Sequence, residues 1–230
     1  METLKQLAAE FGIECTPEML SQFRKYYEML VFWNEKVNLT AITQQNEVEI
    51  KHFADSILPE KRIPAGASVC DVGTGAGFPG IPLKIVRPDL SVTLLDSLNK
   101  RVTFLQEVCK TLNLDKMRCL HARAEDFGQK EGRERFDVVT SRAVARLNTL
   151  AEYAIPLLKI GGIFLAYKAN CEEEQQEAEN AVRILGGKIE VVHKFDLCGQ
   201  TRTILEIRKV SPTPKKYPRG HGKEKSAPIL

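Results

Sequence analysis

The stretch Cys70-Asp71-Val72-Gly73-Thr74-Gly75-Ala76-Gly77-Phe78-Pro79-Gly80-Ile81-Pro82 limits what the chain can fold into more than any other. Ala67-Ser68-Val69-Cys70 reads as the end of a short apolar strand, and Gly80 to Val86 as the first turns of a helix. Glycines at 73, 75, 77 and 80 fill the junction. Glycine takes positive φ freely and lets another molecule come close to the backbone. A helix that starts after such a loop has free N–H groups to offer a ligand's oxygens. Pro82 costs that helix little, because first-turn N–H groups have no partner within it. Two ligand readings are open. Gly75-x-Gly77-x-x-Gly80 matches the dinucleotide fingerprint, and Asp96 lies at the spacing of a ribose-binding acid. Alternatively, the unit is Asp71-x-Gly73-x-Gly75-x-Gly77, whose strand-end acid favours a cationic ligand and repels a pyrophosphate. A tight turn that binds nothing is the plainer alternative. So many glycines, followed by a strand that ends in Asp96, argue against it.

At 230 residues the chain is one large domain or one domain with an extension. An apolar share of 43% and a charged share of 27% allow a sizeable core. The net charge of +3 decides nothing alone, but its distribution is uneven: after Val210 come five Lys or Arg and one Glu, while acids gather at Glu172 to Glu179. Cysteines 15, 70, 109, 119, 171 and 198 form no C-x-x-C pair, so reduced, buried thiols are expected rather than a disulfide frame or a metal site. The first residues lack the apolar core of a secretory leader, and no apolar run reaches the ~18 residues of a membrane span. A cytoplasmic protein with no membrane attachment is expected.

Residues 1–62 read as a helical extension. Leu4, Leu7, Ala8 and Phe11 recur at helical spacing before Gly12. Thr16-Pro17-Glu18 reads as a helix cap with proline in the first turn, and Asn38-Leu39-Thr40 breaks the long helix that follows. A third helix is expected from Asn46 to Ser56. Residues 63–210 then alternate strand and helix. Strands are expected at Ser68–Val72, Val92–Asp96, Met117–Ala122, Phe136–Ser141 and Gly162–Tyr167, and helices at Pro79–Val86, Leu98–Thr111 and Asn148–Leu158. This order predicts a doubly wound parallel sheet with its ligand at the carboxyl ends of the strands. Cys171 to Leu185 reads as an acidic-faced helix, and Lys188–Phe195 with Arg202–Arg208 as a closing antiparallel pair. Residues 211–230, rich in Pro and Lys, have a composition that cannot build a core; a solvated tail and an RNA-contacting arm are equally open.

Several positions after strands carry chemistry. Asp96 can accept both ribose hydroxyls through its two oxygens, or cap the helix that follows. Lys100 and Arg101 stand where a helix dipole disfavours cations, which hints at another task. Arg123 precedes Ala124-Glu125, a turn of low specificity by itself. Arg142 cannot be a general base, because guanidinium stays protonated. It can bind a carboxylate or orient a base, unless it is only an ion-pair partner. An acceptor that needs no deprotonation fits this strand end, and guanine N7 is one. No Asn/Asp-Pro-Pro-Tyr run and no Pro-Cys nucleophile follows the fourth strand. His52 reads as a packing residue, and His121, His193 and His221 are too scattered for a metal site.

The Asp71–Gly77 unit resembles motif I of the class I S-adenosylmethionine-dependent methyltransferases. Together with Asn38-Leu39-Thr40, His52-x-x-Asp55-Ser56, Gly77-Phe78-Pro79-Gly80-Ile81-Pro82, Leu94-Leu95-Asp96-Ser97, Lys100-Arg101 and Ser141-Arg142-Ala143, it resembles the glucose-inhibited division protein B family over about residues 20 to 168. A weaker echo lies in Tyr217-Pro218-Arg219. These are bacterial methyltransferases that make 7-methylguanosine in small-subunit ribosomal RNA. The resemblance implies a class I methyltransferase fold, a mostly parallel Rossmann-like sheet with a final antiparallel strand, beside N-terminal helices. It implies donor contacts at Gly73, Phe78, Ala124, Glu125 and Arg142, with Asp96 on the ribose; Asp71 and Gly75 join them from the glycine-loop reading. It also suggests that Arg101 and Arg123 form the cleft with Arg142 and position the guanosine, without acid–base catalysis or metal. The expected function is methylation of N7 of one guanosine in 16S ribosomal RNA, with S-adenosylmethionine as methyl donor, on naked RNA or an assembled subunit, by a monomer. Arg101, Arg123, Arg142, Arg146 and Lys168 are expected to form a positive cleft for the RNA backbone. A non-catalytic ribosome-assembly factor that keeps a donor site, and a nicotinamide-dependent oxidoreductase, are the alternatives.

Overall fold

The computed structural model describes residues 1–169 and 172–230. Cys171, a scattered thiol and the expected start of the acidic helix, lies outside the described residues. The helical N-terminal region comes first. Helix α1 (Glu2–Glu10) buries Leu4, Leu7 and Ala8. Helix α2 (Pro17–Asn34) starts where Thr16 Oγ1 accepts the Met19 N–H at 3.2 Å, and it buries Phe23, Tyr26 and Leu30. Asn34 Oδ1 accepts the N–H groups of Leu39 and Thr40, so the polar end of α2 holds the loop that breaks it. The expected third helix is a composite: α3 (Gln45–Val48), a π-helical turn over Glu49–Ala54, and α4 (Asp55–Ile57). A π turn widens the helix by one residue and often marks a functional position.

The alternating region forms β1 (Ser68–Val72), α5 (Gly80–Val86), β2 (Ser91–Asp96), α6 (Asn99–Thr111), β3 (Met117–His121), α7 (Ala124–Gln129), β4 (Phe136–Arg142), α8 (Leu147–Ala154), β5 (Leu158–Lys168), α9 (Glu172–Ile184), β6 (Gly187–Leu197) and β7 (Gln200–Lys209). One seven-stranded sheet runs β3-β2-β1-β4-β5-β7-β6. Strands β1 to β5 pair in parallel, and β7 lies antiparallel between β5 and β6. This is the doubly wound methyltransferase sheet, and the antiparallel strand is where it was expected. The expected helix to Leu158 ends early, at Ala154. A 3₁₀ turn over Ile155–Leu157 contains Pro156, which has no N–H for a helical bond, and β5 begins at Leu158.

Each face of the sheet covers its own core, because alternate strand residues point to opposite sides. Val69, Val92, Leu94 and Val138 meet α1, α2, α5 and α6 on one face. Cys70, Val72, Leu95 and Val139 meet α8, α9 and the C-terminus on the other. No helix among the described residues is long and apolar enough to cross a membrane.

The Pro-rich C-terminus departs from its composition. Residues 211–230 form a strap that ends in α10 (Lys223–Ser226) and buries Tyr217 and Ile229 in the second core. Distant side chains satisfy its backbone: Arg133 donates to Thr213 O at 2.6 Å and to Tyr217 O at 2.7 Å, and Gln129 donates to Pro218 O at 2.8 Å. Arg219 makes a two-pronged pair with Glu152, at 2.9 Å from Nε and 2.7 Å from Nη2. The segment borrows a core rather than building one.

Candidate active site

Asp71, next to last in β1, lies between Leu94 and Thr140 in register. It is fully buried. Its Oδ2 accepts from Thr74 Oγ1 at 2.6 Å and from the Gly80 N–H at 2.9 Å, and Oδ1 accepts from Thr140 Oγ1 at 3.0 Å. Burial lifts its pKa to about 6, while these bonds and the Arg142 charge pull the other way. The loop from Gly73 to Gly80 is therefore tied at both ends to one carboxylate. Asp71, expected to face a cationic ligand, spends three acceptor positions on protein donors. Gly73 has φ +67°, and a Cβ there would stand 2.5 Å from Val144 Cγ2. Only glycine fits that approach.

Two cavities flank the end of β4. The first, about 280 Å³, opens past the carboxyl ends of β1, β2 and β3 and is bordered by Gly73, Asp96, Ala124, Glu125, Val144 and Glu224. Asp96 is 3% exposed. Its Oδ2 accepts the Gly75 N–H at 2.9 Å, and Oδ1 accepts the Leu98 N–H at 2.9 Å. The cap residue of α6 is Leu98, with no side-chain cap bond, so Asp96 ties the approach to that helix rather than capping it, and it borders the first cavity. Gly75 holds the cavity's edge through this bond and does not border it. From the strap, Glu224 accepts the Tyr153 hydroxyl at 3.0 Å.

The second cavity, about 390 Å³, is bordered by Ile42, His52, Asp55, Arg142, Tyr167 and Arg202 among others. Arg142 donates from Nη1 to Asp55 Oδ2 at 2.7 Å and to Lys51 O at 3.0 Å, and its Nη2 lies 3.3 Å from His52 Nδ1. Arg202 Nε pairs with the other Asp55 oxygen at 3.1 Å. The Arg142 guanidinium sits 5.0 Å from the centre of the Phe78 ring, which stacks on His52 at 4.6 Å. Burial and then the Arg142 charge push the His52 pKa down to about 4, so the ring is neutral near pH 7. The π turn is what points Lys51 O, His52 and Asp55 at Arg142. Ala143 borders the second cavity and Val144 the first, so this chain end is the partition between them.

The expected donor contacts divide accordingly. Gly73, Asp96, Ala124 and Glu125 gather at the first cavity; Phe78 and Arg142 do not border it and stand on the far side of the partition. Of the three arginines, Arg101 and Arg123 stand at acids of the first cavity, and Arg142 borders the second. Arg101 lies 3.6 Å from Asp96, Arg123 lies 3.6 Å from Glu125 at the rim, and Arg142 is held by Asp55. Arg146 pairs with Glu177, and Lys168 with Glu174 at 2.6 Å. Each cation of the expected cleft carries a carboxylate partner. Sequence reasoning missed Arg202, Tyr167 and Glu224, whose partners are remote in the chain. For Asp55 a signal existed, the His52-x-x-Asp55-Ser56 run, but no chemistry was attached to it. Among the described residues no group of His, Cys, Asp or Glu is placed to hold a metal ion.

A family model described as GidB, rRNA small subunit methyltransferase G, matches residues 19–204. The chain is 49% identical over 233 residues to a Desulforamulus reducens protein named ribosomal RNA small subunit methyltransferase G, covering 99% of this chain and 97% of that one. It is 49% identical to a Bacillus subtilis protein of the same name, covering 96% and 95%. Among solved structures, a SAM-dependent methyltransferase from Aquifex aeolicus superposes with a TM-score of 0.57 at 18% identity, covering 73% of this chain and 94% of that one. M. jannaschii TYW2 in complex with AdoMet superposes with a TM-score of 0.55 at 17% identity, covering 68% and 77%. At such identities the structural likeness speaks for the fold.

Proposed function

Since the chain belongs to the GidB family of rRNA small subunit methyltransferase G proteins, we propose that it methylates N7 of one guanosine in 16S ribosomal RNA, with S-adenosylmethionine as donor. The observation that carries this reading is the pair of cavities on either side of Ala143-Val144. Two substrates seated in neighbouring cavities can bring the methyl carbon and N7 together where the cavities meet past Ala143-Val144, and alignment there is the main contribution this reaction needs.

The first cavity suits the donor: a glycine turn that leaves the backbone open, Asp96 for the ribose hydroxyls, and Ala124-Glu125 beyond it for the base. The donor supplies a methyl carbon made electrophilic by its sulfonium. Guanine N7 has a free lone pair, so no residue has to remove a proton. That matches a site whose strand-end residue is an arginine. The second cavity takes the guanosine. Its apolar floor of Ile42, Tyr167 and Ile204 accepts a base, and Arg142, Lys168 and Arg202 balance nearby phosphates. Phe78 and Asp55 hold Arg142 at the partition rather than touching the donor. Arg123, with most of its side chain exposed, and Arg101 stand at the outer rim, where RNA approaches.

The test is methyl transfer from labelled S-adenosylmethionine to small subunits, and separately to naked 16S RNA, from a strain that lacks this protein. Label on one guanosine, released as 7-methylguanine, is expected. Donor binding without incorporation would instead make the protein an assembly factor, and label on another atom would remove the N7 assignment.

A further inference from the structure

Glu224 is an anomaly of the first cavity. Its residue is 1% exposed. One carboxylate oxygen accepts the Tyr153 hydroxyl, and the other, Oε2, is the one buried side-chain oxygen or nitrogen among the described residues without a hydrogen-bond partner. A buried acceptor left unpaired is costly and calls for an explanation. A slack chain does not supply one. The strap is pinned on both sides of the cavity wall by Arg219 on Glu152 and by Thr149 Oγ1, which donates to Glu224 O at 3.0 Å. The neighbourhood is acidic: Glu224, Glu125 and Glu152 together help raise the Tyr153 pKa, after burial as the largest cause. The cavity's cations, Arg123 and Lys225, are exposed, so the buried part of this wall is acidic and favours an N–H donor. The carboxylate torsion is soft, so either oxygen can keep Tyr153 while the other turns to the cavity.

We propose that Glu224 belongs to the donor site and accepts an N–H from the exocyclic amine of the donor's adenine. This rests on the donor reading given above. Asp96 at the end of β2 marks the ribose, the base lies beyond it toward Ala124-Glu125, and Gly222, Glu224 and Lys225 close that side. The C-terminal strap is thereby a specificity element: a 6-amino purine satisfies Oε2, and a 6-oxo purine turns an acceptor against it.

Calorimetric titration of the full-length protein with S-adenosylhomocysteine and S-inosylhomocysteine tests this. Wild type should prefer the amino compound about tenfold or more, the order of one charge-assisted hydrogen bond. Glu224→Gln keeps one acceptor and gains a donor, so it should bind the 6-oxo compound more tightly than wild type does and narrow the preference, because its amide N–H can donate to a 6-oxygen. Glu224→Ala, which covers the case of a misfolded glutamine variant, should lose the preference without gaining the 6-oxo compound. Equal binding of both compounds by wild type, or a wild-type ratio in Glu224→Ala, overturns the role of Glu224. Failure of wild type to bind either compound overturns the donor reading itself.

Discussion

Asp71 shows how one buried side chain can fix a whole loop. Its acceptors hold Thr74, Gly80 and Thr140, so what matters is where its oxygens are, more than their charge. Asp71→Asn can keep Oδ1 on Thr74 and Gly80 and donate its amide to Thr140 Oγ1. Calorimetry should therefore find S-adenosylhomocysteine affinity within about threefold of wild type, where loss of a direct ion pair would cost far more. Asp71→Ala strands three buried donors and should cost about 2–4 kcal/mol in urea unfolding. His52 carries a pH signature. Its folded pKa of about 4 lies below the ordinary 6.5, so the unfolded chain takes this proton first, and the stability it confers above pH 6.5 is lost as pH falls toward 4. Asp71 acts with the opposite sign: its folded pKa of about 6 exceeds 3.8, so its contribution is full below pH 3.8 and fades as pH rises through 6. The two offset each other in wild type. His52→Gln removes one side of that balance. Relative to wild type it should gain at most about 3 kcal/mol as pH drops from about 6.5 to about 4, read from unfolding midpoints across that range.

Elements were legible where the signal is local. The glycine run announces β1, its turn and α5, and the strand-end positions of Asp71 and Asp96 follow from it. The composite helix at Gln45–Ile57 was legible as a helix, but its π turn was not, since nothing in that stretch distinguishes a bond to the fifth residue from one to the fourth. The strap was misread for a different reason. Its prolines and lysines describe a segment without a core, and its partners Arg133, Gln129, Thr149 and Glu152 stand 67 or more residues earlier. For the same reason the Asp55, Arg142 and Arg202 cluster lies beyond any pattern search: α4, β4 and β7 meet only in the folded protein. The strap's latch has a measurable weight. Glu152 is fully buried, so Arg219→Ala leaves its charge uncompensated. About 3–5 kcal/mol should be lost in urea unfolding, with the melting temperature falling accordingly.

Across the whole molecule, the charge balance is near neutral, at +3, and Arg101, Arg123, Arg142, Arg146 and Lys168 each hold a carboxylate. Nucleic acid must exchange with those partners rather than fill an empty positive groove, which keeps non-specific affinity low. Releasing one cation should reverse this. Arg146 and Glu177 are both largely exposed, so Glu177→Gln frees the guanidinium at little cost to the fold. Fluorescence anisotropy with a short labelled RNA should show tighter binding, and a plot of log affinity against log salt steeper by about 0.7–0.9. The partition at Ala143-Val144 has a consequence of its own. A wall two residues thick cannot yield on one side and stay indifferent on the other. Whatever factor the nucleoside's arrival applies to the sulfonium compound's affinity, the sulfonium compound returns to the nucleoside, because the free-energy cycle must close. Order of addition then sets only the route, and the ternary complex is the same by either path.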